Sequence, residues 1–225
     1  EGPTNNHAVG NLLLTALWDR NQDLVNGLDR IGDLLKVVGR VLPMALEPLD
    51  IEGKFQNHGQ ASVVRGQVQV AVATGKVKEL RLIPSNPKVT PEAIAAIADA
   101  DWITFGPGSW LSSVMPHFLF IEQADAFKNS PAKKIMIFNL PDKSTSDEFS
   151  GISLEEHLQL VLDHVPDLTF DIALIDKVFE GKEPGFTQLV EKCGGRVITL
   201  DLADNVVNFH HDKNKLISAF AHIFS

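Results

Sequence analysis

The second half of the chain alternates short apolar runs with segments of helical spacing, and this alternation limits the fold more than any other feature. Apolar runs predict buried strands over 101–106, 134–139, 170–175 and 197–200, and three- and four-residue spacing predicts helices over 90–99, 117–128, 153–164 and 212–224. Strands joined through helices run parallel, and strands without a polar face are covered on both sides. We therefore predict an α/β fold with a mostly parallel sheet and helices on both faces.

Three of these helices carry start signals. Thr90 precedes a proline and an acidic residue, which suits a hydroxyl N-cap followed by a first turn that needs no donor. Ser153 and Glu156 have the spacing of a capping box, and Asp212 stands where it can cap the final helix. These signals predict where the three helices start.

The first ninety residues combine helical and strand patterns. Apolar residues recur with helical spacing over 8–19 and 22–37, which predicts two helices. Valines and polar residues then alternate over 64–72, as in a half-buried strand. With a strand over 46–55 and another over 76–83, residues 46–83 are expected to form an antiparallel β meander inserted into the α/β chain.

Charge and composition exclude several classes of function. The net charge is −9 and the basic residues are scattered, which disfavours a general nucleic-acid or anionic-membrane surface. The single cysteine, Cys193, excludes an internal disulfide and a cysteine-based metal site, and it fits a cytoplasmic protein. No apolar run approaches the roughly 20 residues of a membrane span, and no signal peptide is visible.

The turn Gly106-Pro107-Gly108-Ser109 follows the first strand of the parallel sheet. Glycines allow a ligand to approach the backbone closely, and a hydroxyl and amides ahead of a helix can donate to an anion. Asn139 ends the next strand, and ligands collect at the carboxyl ends of parallel strands. Two interpretations stay open: a pocket rim that binds phosphate, or a tight turn with a serine cap and a turn-forming asparagine.

Other motifs narrow the chemistry. The sequence contains no dinucleotide-binding G-x-G-x-x-G, no P-loop and no G-x-S-x-G nucleophile elbow. His210-His211-Asp212 could suggest a metal site, but adjacent histidines in a strand point to opposite faces and no second cluster of ligands is evident. A capping aspartate after two loop histidines is the simpler interpretation.

Six ordered blocks resemble the gluconeogenesis factor family, the YvcK-like branch of the CofD-like, or 2-phospho-L-lactate transferase, superfamily. The blocks are His7-Ala8-Val9-Gly10-Asn11, Gly39-Arg40-Val41-Leu42-Pro43, Val64-Arg65-Gly66-Gln67, the segment from Gly106 to His117, Asn139-Leu140, and His211-Asp212 with Leu216. Each block alone is a weak signal, but the order from residue 7 to residue 216 is specific.

The resemblance implies a single Rossmann-like domain over 1–225 with the β insertion at 46–83. The family also has a glycine-rich strand and turn upstream of these blocks, so we expect the first nucleotide-binding unit to be missing here. In the YvcK-like branch the implied ligand is a nucleotide sugar such as UDP-N-acetylglucosamine. The implied role is regulatory rather than enzymatic, linking carbon metabolism during gluconeogenic growth to cell-wall synthesis and cell shape.

Carried over to this sequence, the resemblance predicts a phosphate and nucleotide site without catalytic residues. Its predicted residues are His7, Asn11, Arg40, Gly106, Gly108, Ser109, Asn139 and His210, where His210 replaces an arginine of the family pattern. His7 and Asn11 would hydrogen-bond from the first helix, and Arg40 would neutralise phosphate charge. The one cofactor that the resemblance suggests is Mg²⁺, through the transferase branch.

Two alternatives remain. In the transferase branch the same scaffold moves a phospholactyl group onto a deazaflavin precursor with Mg²⁺, for which Asp101 and Asp142 are the visible but poorly placed carboxylates. The other alternative is a scaffold without a ligand, acting through protein contacts, for example as a homodimer across residues 46–83.

Overall fold

The computed structural model describes residues 9–21, 23–57, 59–141, 153–204 and 210–225. The helices are α1 (Val9–Asn21), α2 (Leu24–Leu35), α3 (Gln67–Ala71), α4 (Pro91–Ala98), α5 (Met115–Leu119), α6 (Ile121–Asn129), α7 (Leu154–His164), α8 (Pro184–Lys192) and α9 (Lys213–Phe224). The strands are β1 (Asp50–Asn57), β2 (Gln60–Arg65), β3 (Lys76–Ile83), β4 (Trp102–Phe105), β5 (Lys133–Ile137), β6 (Ile172–Asp176) and β7 (Arg196–Leu200).

The strands of the second half form a parallel sheet in chain order, β4-β5-β6-β7. Successive residues of β5 face opposite sides, because side chains alternate along a strand. Met136 packs into the large core with α5, α6, α7 and α8. Ile135 and Ile137 pack into a second core with α9. The predicted α/β class, with a parallel sheet and helices on both faces, is confirmed.

The residues 46–83 contribute the predicted antiparallel sheet, but its strand order is β2-β1-β3. Both neighbours therefore pair with β1, whereas in a simple meander the second strand would be central. The carboxylate of Asp50 on β1 binds Arg65 on β2, and Glu52 on β1 binds Arg81 on β3. These ion pairs lie within one chain and do not test the predicted homodimer. The homodimer across this sheet stays a prediction.

The prediction of one strand over 64–72 is wrong from Gly66 onward. Gly66 has φ of 107°, a conformation that favours glycine, and its amide donates to the carbonyl of Ile51 at 2.8 Å. The chain then turns into α3, where Val70 is completely buried while Val68 and Val72 are exposed. Val68 and Val72 lie four residues apart, so they fit one face of a helix as well as the alternation of a strand.

The prediction of a single helix over 117–128 after the Gly106–Ser109 turn is also too simple. A π-helical turn, Trp110–Val114, begins directly after Ser109 and runs into α5, and Phe120 separates α5 from α6. The buried side chains of Trp110, Leu111 and Met115 stabilise this early start by packing into the large core. The short helix α8 was missed by the sequence analysis.

The predicted helix starts are confirmed, although not every cap forms. Ser153 and Glu156 make the capping box of α7, and the Asp212 carboxylate accepts the amides of Asn214 and Lys215. Thr90 precedes α4 as predicted, but its side chain makes no capping bond. Its Oγ1 is buried and has no hydrogen-bond partner in the described ranges. Within the part of the chain that the structure describes, no helix combines the length and apolarity that crossing a membrane requires.

Candidate functional site

Polar groups collect at the carboxyl edge of the parallel sheet. The loop Gly106–Ser109 follows β4, Asn139 follows β5, and Asp176 is the last residue of β6. Because neighbouring parallel strands end at the same edge, the fold brings together residues that are far apart in sequence. Four of the predicted site residues, Gly106, Gly108, Ser109 and Asn139, lie on this edge.

Asn139 holds the loop after β4 through two hydrogen bonds to Gly108. Its Nδ2 donates to the Gly108 carbonyl at 2.6 Å, and its Oδ1 accepts the Gly108 amide at 3.2 Å. The side chain therefore acts like a segment of backbone that joins the ends of β4 and β5. Since the Gly108 amide already donates to Asn139, a phosphate at this loop would be bound by other donors.

Gly106 allows the loop to lie close to β5. Its φ is 81°, and a Cβ added to it would lie 2.7 Å from the carbonyl oxygen of Ile137. A side chain at this position would both strain the backbone and collide with the neighbouring strand. Glycine at 106 therefore has a structural cause that is independent of any ligand.

Ser109 caps the π-helical turn. Its Oγ accepts the amide of Ser112 at 3.3 Å and is hydrogen-bonded to the Ser112 hydroxyl. Its carbonyl accepts the amides of Ser113 and Val114. Ser109 thus shapes the start of the turn, and its hydroxyl lies on the edge where the sheet's strands end.

The residue after the loop, Trp110, forms a rigid base beneath it. Its side chain is buried, stacks on Phe138 at 4.9 Å between ring centroids, and donates from Nε1 to the carbonyl of His157 at 3.2 Å. Burial lowers the pKa of His157 to about 4, so this histidine is neutral at pH 7. The loop therefore rests on apolar and uncharged groups.

A cleft of about 350 Å³ opens beside the loop, between β4, α4 and the start of α6. Its walls are mostly apolar, but Thr104, Ser113 and His117 also line it. Nδ1 of His117 lies 3.3 Å from Oε1 of Gln123, and burial lowers the pKa of this histidine. Sequence reasoning missed His117 and Gln123 as site residues, and the only available signal was the position of His117 at the end of the Gly-Pro-Gly-Ser block.

The His210-His211 pair reaches the same edge from the other side. His210 is exposed, and its carbonyl accepts the amide of Asp204 at 2.9 Å. His211 forms a β-bridge with Ala203, and burial lowers the pKa of its side chain. His210 was the predicted residue, whereas His211 is the histidine that pairs with Ala203, whose amide donates to Asp176 at the end of β6.

Asp176 lies on the same edge, at the end of β6. Its carboxylate is buried and accepts the amides of Val178 at 2.8 Å, Leu202 at 2.7 Å and Ala203 at 3.0 Å. These bonds join the end of β6 to the segment that follows β7. Asp176 therefore has a structural function, and three amides already occupy its oxygens.

The remaining predicted residues are His7, Asn11 and Arg40. His7 lies outside the described residues, and Asn11 lies on α1 with a side chain that is also outside them. The Arg40 guanidinium is about half exposed and binds Asp29 of α2 through two hydrogen bonds of 2.8 and 2.7 Å. A contact between Arg40 and a ligand at the loop stays a prediction.

The magnesium alternative rests on two carboxylates, Asp101 and Asp142. Mg²⁺ is bound by oxygen ligands, usually including carboxylates. In the described ranges, no group of three or more His, Cys, Asp and Glu side chains could hold a metal ion. Asp101 precedes β4 and thus lies at the opposite end of that strand from the loop, and Asp142 lies outside the described residues.

Comparisons with known proteins agree on one family. The family model described as 2-phospho-L-lactate transferase CofD matches residues 1–209. A candidate gluconeogenesis factor of Mycobacterium tuberculosis is 38% identical over 174 residues, which cover 76% of this chain and 50% of that protein. The gluconeogenesis factor of Listeria monocytogenes is 30% identical over 183 residues, which cover 81% of this chain and 55% of that protein.

The fold is also similar to a solved structure. A member of the UPF0052 family from Bacillus halodurans superimposes with a TM-score of 0.80 and 26% sequence identity, over 98% of this chain and 74% of that one. The chain spans about half the length of the curated relatives named above. The similarity therefore concerns the fold and the family over the matched region.

Proposed function

This chain belongs to the 2-phospho-L-lactate transferase CofD family, and on that premise we propose that it is a regulatory protein that binds a nucleotide sugar at the carboxyl edge of its parallel sheet. The proposed ligand is of the UDP-sugar type, such as UDP-N-acetylglucosamine. The proposed role follows the gluconeogenesis factors among its relatives: the bound sugar nucleotide would report on carbon metabolism and so influence cell-wall synthesis and cell shape.

The observation that carries the proposal is the loop Gly106–Ser109 held in place by Asn139. Its shape is set by a glycine with positive φ and by the two bonds from Asn139 to Gly108, so it need not reorganise when a ligand binds. Preorganised polar groups at a sheet edge, next to a largely apolar cleft, are typical of small-molecule sites. The cleft volume of about 350 Å³ is at the lower end of the range for such sites.

The groups on the edge suggest which part of the ligand each of them would contact. The Ser109 hydroxyl would bind a phosphate oxygen, since it can donate after exchanging its bond with Ser112. The apolar walls and the neutral His117 of the cleft suit an uncharged part of the ligand. Arg40 would join the site only by releasing Asp29, and His7 and Asn11 would contribute from the first helix, as the family resemblance predicts.

Titration calorimetry with UDP-N-acetylglucosamine tests the proposal. Ser109→Ala should weaken binding about tenfold, the expected effect of losing one hydrogen bond to a charged group. Ser218→Ala is the matched control, because Ser218 is exposed on α9. Circular dichroism must show that Ser109→Ala is folded, since the substitution also removes the cap of the π-helical turn.

Two results would contradict the proposal, and each would favour one of the alternatives. Absence of binding to every nucleotide sugar, in a folded protein, would favour the scaffold without a ligand. A Mg²⁺-dependent product formed from a phospholactyl nucleotide and the deazaflavin acceptor would favour the transferase. The family match alone does not decide between these outcomes.

A further inference from the structure

His117 forms part of the wall of the cleft beside the Gly106–Ser109 loop. Its side chain is partly buried, and its hydrogen-bond partner Gln123 is buried. In the described ranges Nε2 of His117 has no hydrogen-bond partner, and the protein does not enclose this atom completely. A polar group of a ligand in the cleft can therefore reach Nε2.

Gln123 determines which ring nitrogen of His117 carries the proton. The Gln123 side chain donates from Nε2 to the carbonyl of Met44 at 3.5 Å, so its Oε1 faces His117, 3.3 Å from Nδ1. An amide oxygen can only accept, so Nδ1 of His117 donates this bond. In the neutral ring the proton is then on Nδ1, and Nε2 carries a lone pair.

Burial keeps the His117 ring neutral. It lowers the pKa of His117, and the hydrogen bond to Gln123 opposes this shift without reversing it. At pH 7 Nε2 is therefore a hydrogen-bond acceptor. The ionised phosphates of a nucleotide sugar have no proton to donate, so Nε2 requires an N–H or O–H from another part of the ligand.

The walls of the cleft distinguish the base of such a ligand from its sugars. They consist mainly of apolar side chains, among them Met44, Ile97 and Phe127. A ribose or hexose has hydroxyls around its rim, and apolar walls would leave several of them without hydrogen bonds. A uracil ring has two apolar faces and one polar edge, on which N3–H lies between two carbonyls. The cleft therefore suits the base better than a sugar.

We propose that the cleft binds the uracil base of the ligand and that Nε2 of His117 accepts a hydrogen bond from its N3–H, an assignment that rests on the proposed nucleotide-sugar function. The cleft adjoins the phosphate end of the proposed site, because Gly106 and Pro107 line it and precede Ser109 by a few residues. The hydroxyls of Thr104 and Ser113, also in its wall, can donate to uracil carbonyls. His117 thus selects the base, whereas the loop binds phosphate.

Two substitutions separate the ring nitrogens of His117. In His117→Asn the side-chain amide can reach the position of Nδ1 and keep a donor to Gln123, but nothing replaces Nε2. In His117→Gln the amide oxygen can reach the position of Nε2 and replace the acceptor. The affinity for UDP-N-acetylglucosamine, measured by calorimetry, should fall about tenfold in His117→Asn and by no more than about twofold in His117→Gln. His222→Asn, on the exposed side of α9, is the matched control.

A comparison of UDP with CDP tests the base itself. Cytosine has the size of uracil, but its N3 carries no proton and is an acceptor, like Nε2 of His117. The wild type should therefore bind UDP about tenfold more tightly than CDP. His117→Asn should bind the two nucleotides with similar affinity, because it has lost the acceptor that distinguishes them.

Two results would overturn the assignment and leave the proposed function intact. One is a wild type that binds UDP-N-acetylglucosamine but does not prefer UDP to CDP. The other is a His117→Asn variant that keeps the affinity of the wild type and its preference for UDP. Absence of binding of every nucleotide sugar by the wild type would end both proposals together.

If neither variant folds, the ¹⁵N resonance of Nε2 of His117 in the wild type decides. It should move when UDP-N-acetylglucosamine saturates the protein, because the atom gains a hydrogen bond. An unchanged resonance at saturation would overturn the assignment.

Discussion

Asn139 binds Gly108 with both ends of its side-chain amide, across the carboxyl ends of two neighbouring parallel strands. The two residues are 31 positions apart in sequence. Their contact fixes the loop that carries Ser109 at the carboxyl edge of the parallel sheet. The geometry of the proposed site therefore depends on one side chain more than on any other.

Asn139→Ala removes both bonds to Gly108. At about 1 kcal/mol for each hydrogen bond, the free energy of unfolding should fall by about 2 kcal/mol. The affinity for a nucleotide sugar should fall as well, because the loop loses its fixed shape. Urea unfolding measures the first effect and calorimetry the second.

Asn129→Ala is the control for this substitution. Asn129 is exposed at the last position of α6, so its replacement should change neither quantity appreciably. If Asn139→Ala is as stable as the control, the two bonds to Gly108 are not important for the loop.

Gly106→Ala should be more destabilising than an alanine at another glycine with positive φ. Gly194 has φ of 84° and open space around it, so Gly194→Ala should cost about 1 kcal/mol for the backbone conformation alone. At Gly106 the Cβ also meets the Ile137 carbonyl, which should raise the cost to about 2–3 kcal/mol. Equal costs, measured by urea unfolding, would show that the loop moves away from β5 easily.

His157 makes stability depend on pH. Its pKa in the folded protein is about 4, below the ordinary 6.5, so the unfolded chain binds the proton more readily. The free energy of unfolding should therefore decrease as the pH falls from 6.5 to 4, by up to about 3 kcal/mol from this residue. His117 and His211 act in the same direction, because burial lowers their pKa values too.

His157→Gln removes this contribution, so its stability should vary less between pH 6.5 and 4 than that of the wild type. Chemical unfolding at several pH values measures the difference. His222→Gln should behave like the wild type, since its side chain is exposed. An unchanged slope in His157→Gln would mean that the buried histidine becomes protonated without cost.

Arg40→Ala tests whether Arg40 only forms a surface ion pair with Asp29 or also binds a phosphate of the ligand. Arg40 and Asp29 are both partly exposed, and exposed pairs contribute little to stability. The urea midpoint should therefore change little. The affinity for a nucleotide sugar should fall only if Arg40 leaves Asp29 for the ligand, and Asp29→Asn should then raise the affinity because it releases the arginine.

The parallel half of the fold could be predicted because its signals are local. Apolar runs identified every strand of the parallel sheet. The structure also confirms the helix starts predicted from Ser153, Glu156 and Asp212. The strand predicted over 64–72 failed because Val68 and Val72 fit a helix face as well as a strand. The partner of β3 could not be predicted, since pairing depends on contacts between distant segments.

The positions of four residues of the candidate site could be predicted from the same strand pattern. Gly106, Gly108, Ser109 and Asn139 are recognisable because the ends of parallel strands meet at one edge. Gln123 was not recognisable, because its position at the cleft depends on its contact with the ring of His117. Which of two adjacent histidines pairs with Ala203 is a property of tertiary structure.

The most direct test of the account is the place where a nucleotide sugar binds. In ¹H–¹⁵N spectra recorded during titration with UDP-N-acetylglucosamine, the largest shifts should occur at the amides of Gly108, Ser109 and Trp110 and at the side-chain amide of Asn139. Saturation should occur at the affinity that calorimetry gives. Shifts confined to α2 and the Arg40 turn, or no shifts at a saturating concentration, would contradict the assignment of the site to the carboxyl edge of the sheet.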